Sequence, residues 1–226
     1  MKTFLRTGNL AVRLLRLFSG LFAYGFAIAL MVHGNIGLAP WDVLTQGVSR
    51  TTGLSFGWCV ILTSVAVLLL WIPLRQKPGF GTLVNVALIG VFADLGLAVL
   101  PSPGELGWQI VMFLSGMVLL AFATALYVGA RLGPGPRDGL MTGLVRRTAK
   151  PVWMIRSGIE ISVVLLGFLL GGTVGAGTVV FALGIGPITQ IAFRCLLVDL
   201  SAPEPSAQPV ISTTTTPSAV LPGETA

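Results

Sequence analysis

Apolar residues run along this chain in six long blocks, Leu14–Val32, Gly57–Leu74, Leu83–Leu100, Trp108–Val128, Val152–Leu170 and Val179–Val198. A bilayer crossing takes about 20 mostly apolar residues in helical form, so each block predicts a transmembrane helix. Two polar interruptions stand out between the blocks, Gly37–Thr52 and Gly133–Thr148. Each begins with Gly and Pro, which end the preceding helix, and Pro40 or Pro136 suits the first turn of a new short helix. Val43, Leu44 and Val48 in one segment, and Leu140, Leu144 and Val145 in the other, give that helix one greasy side. Such a piece lies along the interface or dips into the membrane as a broken helix. Beyond Val198 the pattern stops. Ser201–Ala226 is rich in Pro, Ser and Thr and has no aromatic residue, which predicts a disordered tail. The expected organisation is a basic stretch 1–13, a three-helix unit 14–104, a second unit 105–198, and the tail 199–226.

The two units match. A shift of 96 residues lays Asp42 on Asp138 and aligns the halves without a gap. The polar segments share the frame G-x-x-P-x-D-x-L-x-x-G-x-x-R-x-T, and G-F-G-T at Gly79–Thr82 falls on G-A-G-T at Gly175–Thr178. Apolar coincidence cannot match Pro, Asp, Arg and Thr together, so this is an internal repeat. Three spans per unit is an odd number, so the second copy enters the membrane from the opposite side. The expected fold is all-α, six transmembrane helices arranged as two inverted-topology repeats. This architecture recurs in secondary transporters. The repeat also argues that the basic, apolar start Met1–Val32 is a retained span and not a cleaved signal peptide.

Charge fixes the orientation. Lys2, Arg6, Arg13 and Arg16 precede or open the first block, Arg75 and Lys77 follow the second, and Arg131, Arg137, Arg146, Arg147 and Lys150 follow the fourth. The alternate loops carry Asp42 against Arg50, then Glu105, then no charge in Gly171–Gly177. The positive-inside rule therefore places both termini in the cytoplasm. The whole chain of 226 residues is 54% apolar and 10% charged, with a net charge of +6. That is too little polar surface for a soluble enzyme, a DNA-binding domain or a secreted disulfide scaffold. Topology accounts for the basic excess, and no nucleic-acid partner is implied.

The repeated segments supply the first candidate site residues: Pro40, Asp42 and Arg50 in one, Pro136, Arg137, Asp138 and Arg146 in the other. Each Asp falls in a first helical turn, where free N–H groups and the helix dipole favour a carboxylate. Each Arg follows eight residues later, on roughly the same face. Two readings stay open. The segments are symmetry-related gates or substrate-binding elements, or they are interfacial connectors with an acidic start and a basic anchor. Within the spans stand Asp94, Arg156 and Glu160, and intramembrane carboxylates are expensive enough to be functional candidates for carrying a proton. Arg156 and Glu160, one turn apart, also suit a helix-packing ion pair. Asp94 has no evident partner, and neither carboxylate is repeated: Asp94 aligns with Gln190 and Glu160 with Ser64. His33 is the lone histidine, and Cys59 and Cys195 read as small apolar residues near opposite faces. No metal or cofactor site is expected. With no Walker loop, H-E-x-x-H or Ser/His/Asp order, the chain does not read as an enzyme.

G-L-A-P-W-D-V-L-T-Q-G, G-P-G-P-R-D-G-L-M-T-G-L, R-x-x-I-E at Arg156–Glu160 and L-L-G-G at Leu169–Gly172 resemble the YczE/YyaS/YitT group of bacterial membrane proteins, over roughly residues 10–198. The resemblance implies a multi-span protein of the bacterial plasma membrane, of a group described as transporters without an agreed substrate. Where a Gly is expected the chain has Ala149-Lys150, which puts the turn after the second short helix in question. The leading expectation is a small secondary transporter or exporter with its site between the repeats. Its partners would be the bilayer, an unidentified small molecule, and a second copy or another membrane protein. The alternative is a non-transporting accessory or substrate-binding subunit of another transport system.

Overall fold

The computed structural model describes residues 9–196, so the basic residues before Asn9 and the whole tail 199–226 lie outside it. Eight helices and no strand occur among the described residues: α1 Leu10–Gly34, α2 Pro40–Thr52, α3 Phe56–Leu74, α4 Phe80–Val99, α5 Leu106–Gly129, α6 Pro136–Thr148, α7 Val152–Leu169 and α8 Ala176–Cys195. Six of them, all but α2 and α6, are long and apolar enough to cross a membrane. The 13-residue α2 and α6 are too short to span. The outward faces of the long helices carry large apolar side chains such as Trp58 and Leu69 on α3 and Trp153 and Leu165 on α7. A bilayer solvates such a surface where water would not. The first helix starts earlier than its apolar block, at Leu10, so Arg13 is helical. Its guanidinium donates to the carbonyls of Ala130 (2.9 Å) and Arg131 (2.6 Å), just past the end of α5.

The boundaries of α5–α8 repeat those of α1–α4 at the 96-residue shift, to within one residue at every end. The local reasons repeat as well. Pro opens α2 and α6, and each closes on a left-handed residue, Gly53 at φ 72° and Ala149 at φ 53°. The turn after α6 thus forms without the expected glycine. Asn9 caps α1, its side chain accepting from the Ala11 N–H at 3.1 Å.

At the centre α1 packs on α5. A Cβ added at Gly20 would stand 2.8 Å from the Tyr127 nitrogen, and one at the matched Gly116 would stand 2.9 Å from the Ala27 carbonyl oxygen. Each glycine lets two backbones come together, as membrane helices need. The short helices cross over. Among the described residues α2 packs chiefly on α7 and α6 on α3, each against the other half of the chain.

The segments entering the short helices are held by a matched set of bonds. Gly177 N–H donates to Ile36 O (2.8 Å) and Gly81 N–H to Leu132 O (2.6 Å). Gly37 and Gly133, at φ 137° and 122°, adopt a backbone closed to other residues, directly against Thr178 and Thr82. Leu38 N–H donates to Thr178 Oγ1 at 3.1 Å. Its counterpart Pro134 has no N–H, and there the bond reverses: Thr82 Oγ1 donates to Pro134 O at 2.7 Å.

Candidate functional site

The N-termini of α2 and α6 face one another across a cavity of about 620 Å³ in the middle of the bundle. That is the size range of small-molecule sites. Pro40, Trp41 and Asp42 line it from one short helix, and Pro136, Arg137 and Asp138 from the other. The Asp42 side chain is 1% exposed, and Arg137 approaches its Oδ1 at 3.6 Å, an ion-pair distance beyond hydrogen-bond reach. Among the described residues that buried oxygen accepts no hydrogen bond. Arg137 also lies over the Trp41 ring, 5.1 Å from its centroid. Trp41 and Arg137 are the same position of the repeat, so each half contributes a different side chain to one stacked pair. Asp138 is exposed within the cavity, and Tyr127 Oη donates to its Oδ2 at 3.0 Å. Tyr24 meets the Tyr127 ring edge-on, 6.1 Å between centroids. Asp42 stands in α2, outside the six spans. Burial pushes its carboxyl above the ordinary carboxylate value, and the Arg137 charge opposes that only in part.

The other walls come from the long helices. Arg156 Nε and Glu160 Oε1 form an ion pair at 2.9 Å on α7, with side chains 51% and 30% exposed. Such a pair adds little stability. Ser64 and Asn85 are buried at the inner wall, and Gln190 faces the cavity from α8. Apart from Asp138, the exposed lining residues Arg156, Gly186 and Gln190 all stand on α7 and α8, so the cavity opens between those helices.

That opening breaks the repeat. Helices α3 and α4 pack closely, whereas α7 and α8 part. In the first half Asp94 Oδ2 accepts from Ser55 Oγ at 2.5 Å and Oδ1 from the Gly57 N–H at 2.6 Å. A Cβ on Gly57 would stand 2.1 Å from the Gly90 carbonyl oxygen, so the two backbones touch. The counterparts in the second half are Pro151, Trp153, Gly186 and Gln190. Proline has no hydroxyl, Trp153 points outward at 67% exposure, and no described atom lies within 4 Å of a Cβ on Gly186.

The structure therefore distributes the sequence candidates as follows. Pro40, Asp42, Pro136, Arg137, Asp138, Arg156 and Glu160 come together at the cavity. Asp94 does not line it and has two partners at the start of α3. Arg50 donates to the Gly171 carbonyl, Arg146 is exposed, and it is the adjacent Arg147 that docks, on Pro73 O at 3.1 Å. The carboxylate–guanidinium contact runs between the short helices and not along either one. Sequence reading passed over Trp41, Tyr24, Tyr127 and Asn85. A signal existed for two of them, since the chain holds only two tyrosines and both stand here. Thr82, Thr178 and His33 serve local structure. His33 joins the Leu97 carbonyl (3.2 Å) and the Ser102 hydroxyl (2.7 Å). Cys59 is buried and Cys195 exposed, both as free thiols.

Six apolar helices enclosing an accessible, charged cavity define an integral membrane protein. The chain belongs to a family of unknown function, DUF6198, which matches residues 11–194. It is 45% identical over 166 residues to an uncharacterized protein of Haemophilus influenzae, covering 74% of this chain and 76% of that one. It is 33% identical over 177 residues to the uncharacterized membrane protein YczE of Bacillus subtilis, covering 77% and 82%. The uncharacterized protein YyaS of the same organism is 25% identical over 163 residues, covering 70% and 81%. No solved structure matches the chain.

Proposed function

We propose that the protein is a small secondary transporter of the bacterial plasma membrane, with both termini cytoplasmic and its substrate site in the central cavity. The observation that carries this reading is the meeting of two matched short-helix N-termini, with Asp42, Arg137 and Asp138, inside a cavity ringed by six apolar helices. Broken helices in corresponding positions of two halves are where carriers of inverted-repeat design bind their cargo. The matched helix boundaries support the inverted repeat, and the basic loops support the orientation. The two seams supply a means of alternating access. The α3–α4 seam is shut by Asp94 and the Gly57–Gly90 approach, while the α7–α8 seam is open. Exchanging these states moves the opening to the other side with the cargo held at the short helices. No covalent chemistry is needed, so the protein works as a carrier and not as an enzyme.

The test locks the open seam. Cysteines at Trp153 and Gly186, the counterparts of the touching Gly57 and Gly90, are introduced with Cys59 and Cys195 replaced by Ser. Purified protein in liposomes is screened for flux of small polar and amphipathic solutes under an imposed proton gradient. Oxidation to the disulfide should stop flux and reduction should restore it. Flux that continues with the cysteines fully cross-linked would overturn the alternating-access mechanism.

A further inference from the structure

A second cavity, of about 670 Å³, adjoins the first on the flank between α3 and α7. Its walls include Val67, Leu70, Leu140, Leu144 and Val163, from α3, α6 and α7. The hydroxyls on its walls are already used: Ser162 Oγ donates to the Gly158 carbonyl at 2.7 Å, and Thr63 Oγ1 donates to the Cys59 carbonyl. Lys150, at the chain segment between α6 and α7, is the only charged lining residue among those described. It is exposed, so its ammonium keeps its water. The groove therefore offers carbon to a ligand and little else. Two side chains, Trp41 and Ile159, line both this groove and the central cavity. A polar chamber and an apolar one thus share a wall, one opening toward α7 and α8 and the other onto the outer, lipid-facing surface.

The polar chamber has a definite charge preference. Among the described residues it is lined by three carboxylates, Asp42, Asp138 and Glu160, and two guanidiniums, Arg137 and Arg156. One positive charge on a ligand balances the set. The buried Asp42 Oδ1 accepts no hydrogen bond, so what it lacks is a donor, and Asp138 offers a second accessible acceptor a short distance round the wall. A group that donates N–H bonds and carries a positive charge meets both needs. Tyr24, Tyr127, Phe181 and Phe193 supply aromatic surface to the same chamber. Aromatic faces attract a desolvated ammonium. A carboxylate or sulfate head would instead add a second excess negative charge to a buried site, which is costly.

We infer that the two cavities together bind an amphipathic amine: a protonated ammonium head between Asp42 and Asp138, and an alkyl tail passing Trp41 and Ile159 into the groove. The inference rests on the central cavity being the carrier's binding site and names the class of its cargo. It gives each feature a use. The unmatched oxygen takes a donor, the odd negative charge is neutralised, and the groove removes a tail from water or exchanges it with lipid chains. A substrate of this kind can enter sideways from the bilayer, where amphipathic amines concentrate.

The test measures binding, separately from flux. Protein in a non-ionic detergent is incubated with dodecylamine, butylamine or dodecyl sulfate. Retained adducts are counted by native mass spectrometry, and midpoints of thermal unfolding are recorded. Comparing variants with one probe cancels its partition into micelles. The expected result is one retained dodecylamine and no retained dodecyl sulfate. Butylamine should bind at least about tenfold more weakly, from the lost methylenes. Asp42→Asn and Asp138→Asn should each weaken dodecylamine about tenfold or more. Asp138 is exposed, so its variant carries the test if Asp42→Asn does not fold. Gly158→Leu fills the groove from a position where a Cβ has no described atom within 4 Å. It should weaken dodecylamine and leave butylamine unchanged. Equal retention of dodecyl sulfate, or dodecylamine binding unaltered in both Asp138→Asn and Gly158→Leu, overturns the inference. Specific binding of the amine without flux refutes the carrier and leaves the site standing. Flux of some other solute without amine selectivity does the reverse.

Discussion

Removing the Asp94 carboxylate should release the closed seam, and the size of the effect follows from its two bonds. The carboxylate holds the first turn of α3 to α4 through the Gly57 N–H at 2.6 Å and the Ser55 hydroxyl at 2.5 Å. Ser55 Oγ in turn accepts from the Trp58 N–H at 3.2 Å, so the same network caps the helix. Hydrogen bonds to a charged acceptor contribute about 1.5–3 kcal/mol each, and the low end applies because Asp94 is only half-buried. The carboxylate also favours the dipole at the start of α3, by about 0.3–1 kcal/mol. With partial replacement by water, Asp94→Ala should destabilise the seam by about 2–3 kcal/mol, or about 30- to 150-fold in its opening equilibrium. Amide hydrogen exchange, resolved to peptides covering Gly57 and Trp58, reads this directly, because local opening sets their exchange rates. Exchange at those amides should speed up by that factor, while the buried α1–α5 contact around Gly20 and Gly116 stays protected. The counterpart change, Gln190→Ala, is the control. Pro151 offers Gln190 no hydroxyl and α7 stands away from α8, so its effect should stay within about 0.5 kcal/mol. Unchanged exchange at Gly57 and Trp58 in Asp94→Ala would refute the latch. An equal change from Gln190→Ala would refute the asymmetry between the seams.

Burial raises the Asp42 carboxyl above its unfolded value, so folding favours its protonated form. Asp42 then contributes stability at low pH that is lost as pH rises through its folded value, and Asp42→Asn should flatten that part of the unfolding-midpoint profile; an unaltered profile would contradict this. Arg137, Asp138, Glu160 and Arg156 share the cavity, so the comparison must be made between otherwise identical chains. Gly186→Trp places an indole in the mouth between α7 and α8, where a Cβ meets no described atom within 4 Å. It should abolish flux and shift stability by less than about 1 kcal/mol, and a variant that carries solute normally would move the opening elsewhere. Cysteines at Ser102 and Lys77, both exposed, should react with membrane-impermeant reagents from outside and inside the cell respectively. Labelling of both from one side would remove the inverted repeat.

The spans and the short helices were legible because their signals are local. Blocks of apolar residues give the first, and Gly-Pro entry with one greasy side gives the second. The repeat was legible because Pro, Asp, Arg and Thr recur in one register. The same segments pointed to Asp42, Arg137 and Asp138. Partnership across the chain was not legible. Asp94 read as an unpartnered carboxylate because Ser55 and Gly57 lie 39 and 37 residues before it. Arg50 and Arg146 were grouped with the Asp residues by helical phase alone. Eight residues of helix separate them by about 12 Å along the axis, too far for an ion pair. The long guanidinium that does reach Asp42 comes from the opposite short helix. The open seam was invisible for a further reason. It arises from what Pro151 and Trp153 cannot do, and substitution at a matched position shows its cost only when the two halves are compared in space.

The crossed docking of the short helices governs how the protein can be made. Helix α2 rests on α7, and its Gln46 Oε1 accepts from the Thr173 N–H at 2.7 Å, 127 residues further along the chain. A ribosome delivers chain from the N-terminus at several residues per second. Throughout that interval α2, with its buried-to-be carboxylate, has only α3 beside it and lacks its main packing surface. The first half must therefore wait in the membrane as an unfinished object, its short helix in water or at the lipid boundary, until α7 arrives. Assembly becomes a single late event in which both short helices take their places together. A chain cut between α4 and α5 would ask the same of two separate pieces, each holding the seat for the other's helix and neither able to fill its own.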